Sequence, residues 1–336
     1  MTFAVLTACT AVSVSAQSTA SERTAATVAK TAPHAKYVPN RVYDSRKKQW
    51  IDFETLVQRA NGMDLVFVGE QHDTDPVQAL ELALLEGIAR RRGPTGGPVV
   101  VSMEMFERDV QSDVNAYLNN TIDESTFLAR SHPWPKYSTN YRPLVEIAKA
   151  NTWPVVAANV PRPLAAAVAK GGLKALDTLA KGIRTQVAAE LSCPNDQYAK
   201  LFKSWFSEAM NGAGHGVPAR GPSVSDDSAK KLAVAATATE QRYYESQCVK
   251  DETMGESVAR ALTDARTRGN GALVVHVNGS FHTDYTLGTA DRALRRAKDA
   301  KHMVIKIIPT LDIDGVDAKS MRKYADYLVF TVGKPE

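Results

Sequence analysis

Leu65-Val66-Phe67-Val68-Gly69-Glu70-Gln71-His72 and Val274-Val275-His276-Val277-Asn278-Gly279-Ser280-Phe281-His282 repeat one pattern, an apolar run closed by Gly-x-x-His. The runs are nearly continuous rather than alternating, as expected of strands covered on both faces. Counting them as strands over 64–68 and 272–278, four further runs of the same kind lie at 98–103, 154–158, 303–308 and 327–332. Helical stretches fall between them. The clearest spans 76–92, opened by Pro76 after Asp73 and Asp75 and closed by Gly93, and others cover 108–119, 140–151 and 161–170. This alternation predicts an α/β fold, a three-layer, mostly parallel sheet flanked by helices.

The order breaks between 161 and 271, where no convincing strand occurs. The stretch predicts a helical subdomain inserted into the sheet domain. Its parts are a helix over 195–210, a loop with four Gly and two Pro between Asn211 and Pro222, and a long helix over 228–268. Leu232, Tyr243, Met254, Val258 and Leu262 are expected on the buried side of the last.

In open parallel sheets, ligands bind outside the carboxyl ends of the strands. Those ends are polar here. Glu70 and His72 follow the first strand, Glu104 and Arg108 the second, Asn159 and Arg162 the third, and His282 the fourth. If the four strands are neighbours, these residues converge on one crevice. Glu70, His72, Glu104 and His282 then suit a divalent metal or an acid/base centre, with the arginines holding an anion. The bland alternative is that Glu104 and Arg108 pair at a helix start while the histidines satisfy backbone groups. His276, inside a strand, reads as a core residue, and His215, at the tip of the glycine-rich loop, as a residue able to close over a ligand.

Composition narrows the classes. The 336 residues are 44% hydrophobic and 23% charged, the balance of a soluble globular chain. The net charge of +4 is spread without a dense basic run, which argues against nucleic acid as a partner. The uncharged segment 1–16 is too short to span a bilayer and has the look of a secretory apolar region, with a cut after Val14-Ser15-Ala16. Leu6-Thr7-Ala8-Cys9 also resembles a lipobox, in which Cys9 would carry a lipid anchor. Residues 17–40 are Ser/Thr/Ala-rich and read as a flexible linker to a domain over 41–336. Export, as a lipoprotein on the periplasmic face of the outer membrane or into the soluble periplasm, would leave Cys193 and Cys248 in an oxidising compartment. A disulfide between them is expected.

Taken together, GEQHD (69–73), MEMFERD (103–109), WPVVAANVPRPL (153–164) and GSFHTDY (279–285) resemble the ChaN-like haem-binding lipoproteins of the TraB/Tiki and erythromycin-esterase-like superfamily, over about Arg41 to Gly333. The resemblance implies haem binding in bacterial iron acquisition, dimerisation around the ligand and an outer-membrane haem receptor as partner. It also implies a tyrosine as iron ligand, with Tyr137, Tyr141, Tyr243, Tyr244 and Tyr285 all open. Haem requires apolar walls and cations for its propionates. Met103, Met105, Phe106, Trp134 and Phe281 supply the first, and Arg108, Arg142 and Arg162 the second. The superfamily's hydrolytic members leave enzyme activity open. Under that reading Glu70, His72, Glu104 and His282 are catalytic, His72 acting as general base for water. A serine mechanism lacks G-x-S-x-G, and nucleotide chemistry lacks its phosphate loops.

Overall fold

The computed structural model describes residues 33–93, 96–212 and 226–335. Cys9 and His215 lie outside them. Eight strands form one sheet: β1 (Asn40–Asp44), β2 (Gln49–Ile51), β3 (Leu65–Glu70), β4 (Val99–Glu107), β5 (Val155–Asn159), β6 (Leu273–Gly279), β7 (His302–Thr310) and β8 (Tyr327–Val332), in the order β2-β1-β8-β7-β3-β6-β4-β5. Strands β3 to β8 pair in parallel, while β1 is antiparallel to both β2 and β8. The expected α/β class is what forms. The edge hairpin β1–β2 escaped the sequence reading because its strands are short and half polar. The stretch read as a linker also ends early: Ala35 and Val38 pack against the core and His34 Nδ1 lies 2.7 Å from Glu86.

The continuous apolar runs follow from the period of two along a strand. Val66 and Val68 face one layer, formed by α1 (Phe53–Asn61), α2 (Asp75–Arg92) and α5 (Arg142–Ala150). Helices α3 (Gln111–Leu118) and α4 (Glu124–Ser131) extend this layer. Leu65 and Phe67 face the other, where α9 (Gly288–Arg296) lies beside the second half of a 43-residue helix, α8 (Asp226–Arg268). The end of the helical insertion is therefore itself a layer of the sandwich: Val258, Ala259, Ala261, Leu262 and Ala265 sit directly on Val100 and Val274.

The remaining parts of the insertion are α6 (Arg162–Gly171) and α7 (Gln197–Gly212). Helix α7 joins the middle of α8 through a separate cluster of Tyr198, Phe202, Tyr244 and Cys248. Met254, Val258 and Leu262 are buried as expected, but Tyr243 is 45% exposed, because the helix has left the sheet by then and one flank faces a crevice. The side chain of Leu232 lies outside those described.

The expected Cys193–Cys248 disulfide is present, fastening the chain ahead of α7 to α8 across a separation of 55 residues. Closing a loop of that length restricts the unfolded chain by roughly 4 kcal/mol on the entropy model. Cys193→Ser/Cys248→Ala is therefore expected to lower the denaturation midpoint by an amount corresponding to 2–5 kcal/mol, read by urea melts with and without reductant. Equal midpoints would show that the bridge carries no stability.

Candidate functional site

The four strands with polar ends, β5-β4-β6-β3, are contiguous in the sheet, so their ends do meet. The two Gly-x-x-His segments interlock there. A Cβ on Gly69 would sit 2.9 Å from Ser280 Cα, and one on Gly279 2.7 Å from His72 Nε2. Close approach of the two loops, rather than a left-handed turn, is what excludes larger residues at these positions.

Two charge clusters result. In the first, the buried Glu70 carboxylate receives His72 Nδ1 at 2.5 Å, the Tyr141 hydroxyl at 2.8 Å and Gln78 Nε2 at 2.7 Å. Burial pulls the His72 imidazolium down, yet its hydrogen bond to Glu70 and the charges of Glu104 and Glu70 raise it above the ordinary value. Behind Glu70, the buried Glu81 carboxyl lies within hydrogen-bonding reach of the Glu70 carboxylate. Burial and the Glu70 charge push it well above the carboxylate range, so it keeps its proton.

In the second cluster His282 lies between two carboxylates, Nδ1 2.8 Å from Asp251 and Nε2 3.3 Å from Glu104. Burial opposes its charge, but Glu104 and Asp251 outweigh that and push it up to about 10. Burial works against the charge of Glu104 as well. His282, His72 and the Gly279 N–H, which donates at 2.7 Å, nevertheless hold the carboxylate far below its usual range. Asp251 also accepts from Tyr198 and from Thr289, at 2.5 and 2.8 Å. His276 is kept apart. Its Nδ1 meets Ser102 Oγ at 2.9 Å, and burial pushes it down to about 4, so it is a neutral core histidine.

The clusters form the floor of a crevice of about 1040 Å³, at the top of the usual range for small-molecule sites. One wall is aromatic: Phe202, Trp205 and Phe206 from α7, Tyr243 from α8 and Phe281 from the β6 loop. Its rings lie 5.0 to 6.1 Å apart. Trp134, Ile307, Ile308 and Pro309 line it elsewhere, and α6 presents Ala165, Ala166 and Ala169. Four cations reach it. Arg162 pairs with Glu107 at 3.0 Å and Lys306 with Asp284 at 2.5 Å, whereas Lys170 and Lys250 have no ionic or hydrogen-bond partner among the described residues.

Several residues expected here are elsewhere. Arg108 is drawn to α8, donating to Ser257 Oγ at 3.0 Å and the Thr253 carbonyl at 2.7 Å and pairing with Glu256. It lines a separate hollow of about 330 Å³. The cause is a register shift between β4 and β5 after Met103, which re-aims the end of β4. Tyr137 and Tyr141 belong to the apolar core, and burial raises both hydroxyls beyond the range where they lose a proton. Tyr244 donates to the Pro194 carbonyl, Arg142 pairs with Glu124, and Tyr285 lies against Tyr324 beside another hollow.

The four residues expected to ligate a divalent metal are not arranged as a ligand set. Glu70 and His72 are tied to each other, Glu104 and His282 likewise, and no group of three or more His, Cys, Asp or Glu among the described residues is placed to hold a metal ion. Asp251, Tyr198 and the α7 aromatics were missed. Asp251 had a signal: with Cys248, Gly255, Val258 and Leu262 it falls on one helical stripe, a carboxylate among buried positions.

Fold and site define an α/β protein with an aromatic-walled small-molecule crevice at the carboxyl ends of its parallel strands. Residues 56–293 match the family described as haem-binding uptake, Tiki superfamily, ChaN, and the chain belongs to that family. The ChaN protein of Campylobacter jejuni, described with cofacially bound haem, shares the fold at a TM-score of 0.60 and 14% identity, over 90% of this chain and all of that one. A mutant erythromycin esterase in its open conformation aligns at a TM-score of 0.41 and 11% identity, over 88% of this chain and 83% of its own. Among curated sequences, the chloroplastic protein RETICULATA-RELATED 5 of Arabidopsis thaliana is 23% identical over 278 residues, 81% of this chain. The chain spans about a third of that relative's length (34%). No helix among the described residues is long and apolar enough to cross a membrane.

Proposed function

We propose that the crevice binds haem and that the protein serves bacterial haem or iron acquisition. The observation that carries this is a crevice of about 1040 Å³ with an aromatic wall and four cations among its lining residues, the surroundings a porphyrin dicarboxylate requires. Of the five tyrosines considered, Tyr243 is the one lining the crevice, and it is 45% exposed, so its hydroxyl is the oxygen ligand available to ferric iron. Haem itself supplies a Lewis-acidic iron between two flat apolar faces. Trp205, 54% exposed at the same wall, and Tyr243 leave apolar area that a second copy would cover, so haem is expected to promote a homodimer. An outer-membrane haem receptor is the partner this role implies. Export with a lipid on Cys9 belongs to the same reading, and membrane association should disappear in Cys9→Ser.

The alternative, acid/base hydrolysis, draws support from His72, part-exposed at the crevice and fixed by the buried Glu70. A hemin titration followed by absorption and by size measurement separates the two. The haem reading expects a saturable shifted Soret band in the wild type, its loss when Ala166→Trp fills the crevice, and a larger species with hemin. Unshifted hemin spectra together with His72-dependent ester hydrolysis would overturn it.

A further inference from the structure

Every acidic group lining the crevice is already engaged. Glu70 holds His72, Tyr141 and Gln78, and Glu104 holds His282 and the Gly279 N–H. Two of the four cations are engaged as well, Arg162 by Glu107 and Lys306 by Asp284. The exceptions are Lys170, at the end of α6, and Lys250, on α8, which have no ionic or hydrogen-bond partner among the described residues. They extend the two helix faces that line the crevice: the apolar Ala165, Ala166 and Ala169 lead to Lys170, while Tyr243 and the polar Ser246 and Gln247 lead to Lys250. Tyr243 and Lys250 are seven residues apart, two turns along one face of α8, or about 10 Å of rise.

We propose that Lys170 and Lys250 form a carboxylate-recognition edge that orients a flat dianionic ligand, so that the crevice selects porphyrins carrying free carboxylates over their neutral esters. This rests on the haem reading and adds to it a direction of entry. The carboxylates lie at the α6–α8 edge, and the centre of the macrocycle lies beside Tyr243. A ligand whose carboxylates pointed away from α6 and α8 would leave both lysines unpaired. A lysine is a point charge on a flexible stem, able to follow a flexible propionate.

The test uses metal-free protoporphyrin IX, whose binding owes nothing to an iron ligand, and its dimethyl ester, both titrated by porphyrin fluorescence into the full-length protein. Wild type should prefer the free acid. Lys170→Ala and Lys250→Ala should each weaken free-acid binding about five- to tenfold, the scale of a partly exposed charged hydrogen bond. The ester should be unaffected, and Lys→Arg at either position should restore part of the loss. Unchanged far-ultraviolet circular dichroism checks that the variants are folded. If the double alanine variant binds the free acid as tightly as wild type while hemin still gives its shifted band, the lysine edge is wrong and the haem reading stands. If wild type binds neither porphyrin nor hemin, both are wrong.

Discussion

Asp251→Ala is expected to cost the protein about 3–5 kcal/mol of unfolding free energy, the scale measured when one partner of a buried ion pair is removed. The carboxylate is fully buried and takes hydrogen bonds from His282, Tyr198 and Thr289 at once. Without it the imidazolium keeps only Glu104, and two hydroxyls lose their acceptor. The same cluster sets a pH dependence. The folded His282 is raised to about 10, above its unfolded value near 6.5, so its contribution is complete below about pH 6.5 and lost as pH rises towards 10. Glu104 and Asp251 are lowered, so theirs is present above their unfolded values near 4 and lost as pH falls further. Chemical denaturation should show an alkaline decline in stability from about pH 6.5 towards 10, and that decline should flatten in Asp251→Ala. A wild-type midpoint unchanged from pH 6 to 10 would contradict the charge assignment.

The second large effect is functional. Tyr243→Phe keeps the ring on the aromatic wall, 5.0 Å from Phe206, and removes only the hydroxyl. Hemin affinity should fall at least 10- to 100-fold, the loss known for removing mere supporting groups around a bound metal, and the spectrum of any residual complex should change. Tyr141→Phe should leave the hemin spectrum as in wild type, since that hydroxyl is spent on Glu70. The reverse pattern would move the iron ligand away from the crevice wall.

The sheet was legible in the sequence because its strands are buried on both faces, which writes them as unbroken apolar runs such as 65–68 and 274–277. The strand-end glutamates and histidines were legible because polar residues cluster where the apolar runs give out, although β4 continues past Glu104 to Glu107. Arg108 was misplaced because a bulge changes which face a residue takes, and periodicity read off one strand does not reveal where its partner slips. The aromatic wall was hidden for a different cause. Phe202, Trp205 and Phe206 have the spacing of an ordinary amphipathic helix, and only the tertiary position of α7, held by the Cys193–Cys248 bridge and the Tyr198–Tyr244 cluster, turns them towards the strand ends.

A crystal structure of the protein saturated with hemin tests the central claim most directly. The porphyrin is expected between the α7 aromatics and the strand-end floor, its iron at Tyr243. Hemin bound outside the crevice, or a crevice left empty at saturating hemin, would contradict it.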